Sequence, residues 1–158
     1  MNGVTGFMIG LIQRVTRARV SAHGQLIVEI GLGTLALVGV QRRDDCAAAD
    51  RLLERLLAYR IFPDAAGRMS LSLRETGGGL LLVPQFTLAA DTRTGTRAGF
   101  STAAPPDAAR ELFSYLLARA RSAHAPVAAG EFGADMQVEL VNDGPVTFWL
   151  EAEPQPQR

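Results

Sequence analysis

The chain of 158 residues has no lysine, one cysteine (Cys46) and two histidines (His23 and His124), so all 16 of its basic residues are arginine. Without lysine the chain can form neither a Schiff base nor a P-loop of the usual kind. One cysteine excludes an intramolecular disulfide framework and a multi-cysteine zinc site, and two histidines do not by themselves make a histidine-based metal centre. The sequence thus excludes enzymes that depend on lysine, paired thiols or histidine-bound metal.

A surplus of charge and a long apolar run are also missing. The 16 acidic residues balance the 16 basic ones, which argues against a broadly basic surface for binding polyanions. No stretch is apolar for long enough to span a membrane. The apolar N-terminal run has no basic residues before it and ends at Gln13 and Arg14, unlike a signal peptide. Together with the single cysteine, these features predict a cytoplasmic protein without membrane partners.

Hydrophobic periodicity predicts a series of short strands. Glycine-containing turns at 23–25 and 31–33 join the first of them, which is typical of an antiparallel meander. Apolar residues broken by polar ones predict strands at 8–15, 18–22, 26–30, 34–40, around 69–73, 80–83, 134–141 and 146–151.

Two helices are predicted between these strands. An aspartate at 44 or 45 caps the first, whose apolar stripe extends to Ile61. The proline pair 105–106 begins the second. This order of elements predicts an α+β fold in a single domain over residues 8–152, with two helices packed on a largely antiparallel sheet. Residues 1–7 and 153–158 are expected to be flexible ends.

Most isolated motifs are better explained by structure than by chemistry. Gly31-x-Gly33 leads into a strand, and the glycines at 77–79 are not followed by Lys-Ser/Thr, so neither is expected to bind phosphate. Cys46 is interpreted as a small packing residue, and His23 and His124 as surface residues. Two segments instead break the pattern of their strands: residues 84–88 (PQFTL) and residues 142–147 (NDGPVT).

At these two segments the sequence becomes recognisable. The matching stretches are residues 8–15 (MIGLIQRV), 59–62 (YRIF), 85–92 (QFTLAADT), 132–138 (FGADMQV) and 141–149 (VNDGPVTFW). Over nearly its whole length the chain resembles the D-aminoacyl-tRNA deacylases, formerly called D-tyrosyl-tRNA deacylases. The family start aligns with Met8, so residues 1–7 are interpreted as an extension or a misassigned start.

The resemblance implies a barrel-like sheet and a specific reaction. The family hydrolyses the ester that joins a D-amino acid, or glycine, to the terminal ribose of tRNA. It acts as a homodimer with no metal and no cofactor, and its macromolecular partner is the aminoacylated 3′ end of tRNA. Its Gly-Pro pair, here Gly144 and Pro145, forms a cis peptide whose carbonyls reach into the partner subunit's pocket and exclude L-amino acids.

The resemblance also implies which residues form the site. Gln85, Phe86 and Thr87 are the expected catalytic segment, with backbone N–H groups around Phe86 and Thr87 stabilising the oxyanion while the ribose hydroxyl assists attack by water. Thr87 as a covalent nucleophile is the rival mechanism, although no histidine base is evident. The expected substrate-binding residues are Arg14, Pro84, Leu88, Met136 and Asn142.

One position departs from the family pattern, because Pro84 stands where the family usually has serine. Proline supplies neither a hydroxyl nor an N–H. A related deacylase group, directed at tRNA mischarged with L-alanine, also has proline there, so that activity is an alternative. A non-catalytic RNA-binding domain is a second alternative, suggested by Arg93 and Arg97 in the central loop. These two arginines and Arg14 are the expected tRNA contacts.

Overall fold

The computed structural model describes residues 7–153, so most of both predicted flexible ends lies outside the described residues. Within that range the chain forms eight strands, three helices and one 3₁₀ turn. Their bounds are β1 Met8–Ala22, β2 Gln25–Ile30, β3 Gly33–Gly39, α1 Cys46–Ala58, β4 Arg60–Pro63, β5 Met69–Ser72, α2 Leu73–Thr76, β6 Gly79–Pro84, the 3₁₀ turn Phe86–Ala89, α3 Pro106–Ala123, β7 Val127–Ala129 and β8 Met136–Ala152.

The main sheet is built around the long strand β1. One edge of β1 pairs antiparallel with β8 along nearly its full length, and the other edge pairs first with β3 and then with β2. β6 and β7 extend the sheet in parallel beyond β3. The predicted α+β fold is confirmed. The sheet is mixed because the segments leading to β6 and β7 contain helices, and a crossover of that kind brings strands together in parallel.

The predicted strand breaks near residues 16 and 142 are wrong, because β1 and β8 each continue through them. The pairing register between the two strands shifts between Gln13 and Arg17. A register irregularity changes the face to which the following side chains point. Ile12 packs in the core beneath the helices, and Val15 packs on the other face in a second core, as ordinary alternation requires. Val20 has the same parity as Ile12 but, beyond the irregularity, packs in the second core with Val15. One strand of this barrel-like sheet therefore contributes side chains to two cores.

α1 and α3 cover the larger core. The side chain of Asp45 caps α1 by accepting a hydrogen bond from the N–H of Ala48 at 2.9 Å, as predicted. The helix ends at Ala58, and the prediction that it extends to Ile61 is wrong. Ile61 lies in β4 and is buried in the same core, so its apolar spacing coincided with the helical stripe.

The predicted surroundings of Cys46 and His124 are wrong. Cys46 is exposed at the first position of α1 and does not pack in a core. His124 is half-buried after α3, where its Nε2 lies 2.6 Å from the carbonyl oxygen of Gly78. It therefore ties the end of α3 to the start of β6. Within residues 7–153, no helix combines the length and the apolar character that crossing a membrane requires.

Candidate active site

The segment PQFTL begins where β6 can no longer continue. Pro84 pairs with Val38 of β3 as the last residue of β6, and proline has no N–H to donate to a sheet. Gln85 donates its N–H to the carbonyl oxygen of Val38 at 2.8 Å. The chain then turns into the 3₁₀ turn, in which Leu88 N–H donates to the carbonyl oxygen of Gln85 at 3.2 Å.

The first two N–H groups of this turn have no hydrogen-bond partner within residues 7–153. Among residues 7–153, no hydrogen bond uses the backbone N–H of Phe86 or of Thr87. The opening N–H groups of a helix have no acceptor within the helix, so they are free to bind an anion or a polarised carbonyl. Two adjacent unpaired donors therefore stand at the end of a buried strand.

The side chains of the segment leave the Thr87 hydroxyl without a base. Gln85 Nε2 donates a hydrogen bond to Thr87 Oγ1. No carboxylate or imidazole in the described part of the chain is hydrogen-bonded to that hydroxyl. A threonine nucleophile requires a neighbouring base to take its proton, so the geometry favours a role for the backbone here.

A cavity of about 730 Å³ opens beside the turn, within the range usual for small-molecule sites. Of the residues predicted for the site, Pro84, Gln85, Phe86 and Met136 line it. The remaining lining is mainly apolar and comes from the segment after β3, the end of β6, the segment before α3, the start of α3, the segment before β8 and the start of β8. Those other residues are Arg42, Val83, Phe100, Ala103, Ala104, Pro105, Pro106, Ala109, Phe132, Gly133, Ala134, Asp135 and Val138.

The Gly-Pro pair lies on a bulge of β8. Gln13 of β1 pairs with Thr147, and Val15 pairs with Asn142. Four residues of β8, at 143–146, therefore oppose the single residue Arg14. Asn142 closes the bulge, because its Oδ1 accepts from Val146 N–H at 3.1 Å and its Nδ2 donates to Thr147 Oγ1 at 2.9 Å. The Gly144–Pro145 bond is cis, as the resemblance implies, and both residues are exposed.

Arg14 supports this bulge from behind. Its Nε donates to the carbonyl oxygen of Asp143 at 3.1 Å and its Nη1 to the carbonyl oxygen of Ile61 at 2.8 Å. Only 13% of its side chain is exposed. Arg14 is thus hydrogen-bonded to the strand segment that carries the Gly-Pro pair, and its contact with substrate stays a prediction. The same holds for Asn142.

The two motifs do not meet within one chain. Pro84 pairs with Val38 of β3, and Val38 pairs with Gly10 of β1. Gly10 is four residues before Arg14, which lies opposite the bulge. At the usual strand rise and spacing this places the motifs about 13 Å apart along the strands and about 14 Å apart across them. Accordingly, Gly144 and Pro145 are absent from the cavity lining, and so are Thr87 and Leu88.

The loop after the 3₁₀ turn is more ordered than its sequence suggests. Asp91 and Gly99 exchange two backbone hydrogen bonds, of 2.7 and 2.9 Å. Arg93 binds the Asp91 carboxylate through two nitrogens, and these hydrogen bonds lower the pKa of Asp91 to about 2. The charge of Arg93 is therefore already compensated. The loop delivers Phe100 to Phe86, with ring centroids 5.3 Å apart.

Sequence reasoning missed the residue on which the 3₁₀ turn rests. A Cβ on Gly39 would lie 2.8 Å from Leu88 Cβ and 3.4 Å from the carbonyl oxygen of Gln85. Gly39 therefore allows the turn to pack directly on β3. The sequence analysis also did not identify Phe100 and Phe132 as cavity residues. Their positions depend on the conformation of their loops and on contacts with the distant residues Phe86 and Phe113.

Comparisons with known proteins find relatives that match most of the chain. The family described as "D-Tyr-tRNA(Tyr) deacylase" matches residues 11–151. A D-aminoacyl-tRNA deacylase of Alkalilimnicola ehrlichii is 64% identical over 147 residues, covering 93% of this chain and 98% of that protein. Among solved structures, a c-Myc DNA unwinding element binding protein has a TM-score of 0.88 at 34% identity, covering 92% of this chain and 99% of that one. A probable eukaryotic D-amino acid tRNA deacylase has a TM-score of 0.81 at 17% identity, covering 91% and 98%, and shows the same fold.

Proposed function

Because the chain belongs to the D-Tyr-tRNA(Tyr) deacylase family, we propose that its cavity binds the aminoacylated 3′ end of tRNA and that its 3₁₀ turn stabilises the oxyanion. The chain is a hydrolase that cleaves the ester of D-aminoacyl-tRNA, a reaction of translation quality control. We place that reaction in the cytoplasm. The observation that carries the proposed mechanism is the pair of unpaired N–H groups, at Phe86 and Thr87, beside the cavity.

The reaction needs little side-chain chemistry. Water attacks the ester carbonyl, the adjacent ribose hydroxyl assists the proton transfer, and the carbonyl oxygen becomes an oxyanion. The two N–H groups then donate to that oxyanion, and one such donor contributes about 3–4 kcal/mol to the transition state. The oxyanion then collapses, the bond between the acyl carbon and the ribose oxygen breaks, and that oxygen takes up the proton lost by the water, which releases the free amino acid and tRNA. This route does not require a base at the Thr87 hydroxyl, which accepts a hydrogen bond from Gln85.

Selection against L-amino acids is assigned to Gly144 and Pro145 of a second subunit. The pair is exposed, is braced by Arg14 and Asn142, and lies away from the cavity of its own chain. In a homodimer the bulge would enter the partner's cavity, where its carbonyl oxygens accept the α-amino group. An L side chain would then collide with the backbone, whereas a D side chain or the hydrogen of glycine would not. Exposed Trp149 and Val141 on the same strand support such an interface.

A release assay with matched esters tests the function. We expect rapid hydrolysis of D-Tyr-tRNA and Gly-tRNA and little hydrolysis of L-Tyr-tRNA or L-Ala-tRNA. Exclusive cleavage of L-Ala-tRNA would instead assign the chain to the related L-alanyl group, with which it shares proline at position 84. Salt-sensitive RNA binding without turnover of any ester would favour the non-catalytic alternative.

Substitution of Thr87 separates the two mechanisms. Thr87→Val keeps the shape and the backbone N–H but removes the hydroxyl, so we expect kcat to stay within about tenfold of the wild-type value if the backbone acts. Thr87→Ser is the control that keeps the hydroxyl. Single-turnover measurements on D-Tyr-tRNA should show no acyl-enzyme in the wild type or in Thr87→Ser, the two chains that keep a hydroxyl. A loss above about a thousandfold in Thr87→Val, with normal activity in Thr87→Ser, would establish the covalent route.

Gly39→Ala should displace the 3₁₀ turn while leaving the N–H groups of Phe86 and Thr87 chemically unchanged. The new Cβ would lie 2.8 Å from Leu88 Cβ, so the turn must move away from β3. Small displacements of catalytic groups reduce rates by about a hundredfold, and kcat for D-Tyr-tRNA is expected to fall to that extent. Gly31→Ala is the control, because a Cβ there meets nothing within 4 Å. Equal kcat in the two variants would show that the turn's position does not limit the reaction.

A further inference from the structure

Two arginines stand at the cavity without a carboxylate partner. Arg42 is part of the lining, and the Arg110 guanidinium lies 4.8 Å from the ring centroid of Phe132, another lining residue. Neither forms a salt bridge with any residue in the range 7–153. By contrast, Arg93 and Arg119 each have a carboxylate oxygen within 3.2 Å.

The fold fixes the backbone at Arg42 and the guanidinium group at Arg110. The N–H of Arg42 donates to the carbonyl oxygen of Thr102 at 2.9 Å, and its neighbour Gln41 forms a bridge with Ala103. Arg110 follows the lining residue Ala109 on α3, and its Nη2 would lie 3.4 Å from a Cβ on Gly133. The two cations therefore belong to separate walls, one on the Phe100 side and one on the Phe132 side.

The chemistry of the lining indicates which ligand they fit. Apart from Arg42, the charged residue in the lining is Asp135, and most of the others are apolar. An apolar cavity with guanidinium groups at its boundary suits a nucleoside whose phosphate remains at the mouth. Guanidinium is planar, permanently charged and well matched to phosphate oxygens. Arg110 lies over the Phe132 ring, and no side-chain hydrogen bond among residues 7–153 uses its guanidinium N–H groups, so they are available for such contacts.

We propose that Arg42 and Arg110 together bind the phosphodiester that joins the aminoacylated nucleotide to the nucleotide before it. The inference rests on the proposed function, because that function brings a single-stranded RNA end to this cavity. It also explains how a chain of zero net charge engages RNA: a local pair of arginines replaces a basic surface. Arg93, which Asp91 already neutralises, is not needed for this contact.

Three D-tyrosyl esters of increasing length test the proposal with the full chain. The first is an ester of adenosine, which has no phosphodiester, the second an ester of the dinucleotide CpA, which has one, and the third is D-Tyr-tRNA. Arg42→Gln and Arg110→Gln are each expected to raise KM for the CpA ester about tenfold at unchanged kcat. Hydrolysis of the adenosine ester should not change. Arg43→Gln is the matched control, since Arg43 is exposed and does not line the cavity.

The outcomes separate this inference from the function on which it rests. Failure of the wild-type chain to hydrolyse any of the three esters would overturn the proposed function. If the wild type is active, unchanged KM for the CpA ester in both variants would overturn the phosphate contact. So would an equal rise in KM for the adenosine ester, because that substrate has no phosphate to lose. Thermal denaturation of all three variants confirms that they fold.

Discussion

Replacing Phe86 by proline should lower kcat for D-Tyr-tRNA by about a hundredfold to a thousandfold relative to replacing it by alanine. Both substitutions remove the phenyl ring, but only proline removes the N–H assigned to the oxyanion. Phe86 begins the 3₁₀ turn, where proline is tolerated, and its N–H has no partner to lose. Gln85 has a φ of −139°, which a following proline allows, and a ψ of 87°, which must increase by about 30° to reach the range usual before proline.

The comparison between the two Phe86 variants is the informative measurement. Phe86→Ala reports what the exposed ring contributes to substrate binding, including its contact with Phe100. Single-turnover rates of both variants at saturating D-Tyr-tRNA isolate the chemical step. Similar rates for Phe86→Pro and Phe86→Ala would remove this N–H from the mechanism, and the Thr87 N–H would then remain as the candidate donor. Circular dichroism verifies that the proline variant keeps its fold.

Gly144→Ala is expected to have the second large effect. Gly144 has a φ of +127°, a region that L side chains rarely adopt, and an added Cβ would lie 2.8 Å from Val146 Cγ2 and 3.0 Å from Arg14 Nη2. The bulge must therefore rearrange, and the carbonyl groups of Gly144 and Pro145 move with it. We expect hydrolysis of D-Tyr-tRNA to fall by about a hundredfold, as small displacements of positioning groups do, and the preference for D over L esters to shrink.

A second glycine supplies the control for backbone strain. Gly67 also has a positive φ, +79°, but a Cβ there meets nothing within 4 Å. Gly67→Ala should therefore lose about 1 kcal/mol of stability and retain its activity and its preference for D esters. If Gly144→Ala behaved like Gly67→Ala in both activity and stereochemical preference, the assignment of chirality to the bulge would fail.

These two active-site variants together test whether the bulge acts between subunits. In a mixed dimer, the Phe86→Pro chain keeps an intact bulge and the Gly144→Ala chain keeps an intact 3₁₀ turn. If the bulge enters the partner's cavity, one of the two sites in each mixed dimer is complete. Mixing equal amounts under subunit exchange should then restore about a quarter of wild-type activity, since half of the dimers are mixed. Activity no greater than the average of the two parents would place the bulge and the turn of one chain in the same site.

Local sequence rules predicted the elements that depend on neighbouring residues. The Asp45 cap, the apolar stripe of α1 and the proline start of α3 are all encoded within one or two turns of helix. The end of α1 was missed, because Ile61 satisfies the same core from a strand. The short helix α2 and the three-residue strand β7 were also missed, since elements of this length have too few residues to show a period.

The sequence by itself determined which chemistries this chain lacks, and two of its segments determined which family it belongs to. Only the tertiary structure decided what surrounds those segments. The pairing register between β1 and β8 places Arg14 and Asn142 where they hydrogen-bond to the Gly-Pro bulge. The close packing of Gly39 against the 3₁₀ turn fixes the position of the N–H groups of Phe86 and Thr87, which have no partner within residues 7–153. The tertiary structure also brought Arg42 into the cavity lining and Arg110 against Phe132 of that lining, from positions 68 residues apart. The physical reason is that propensity and periodicity act over a few residues, whereas strand register and cavity walls depend on contacts between residues distant in the chain.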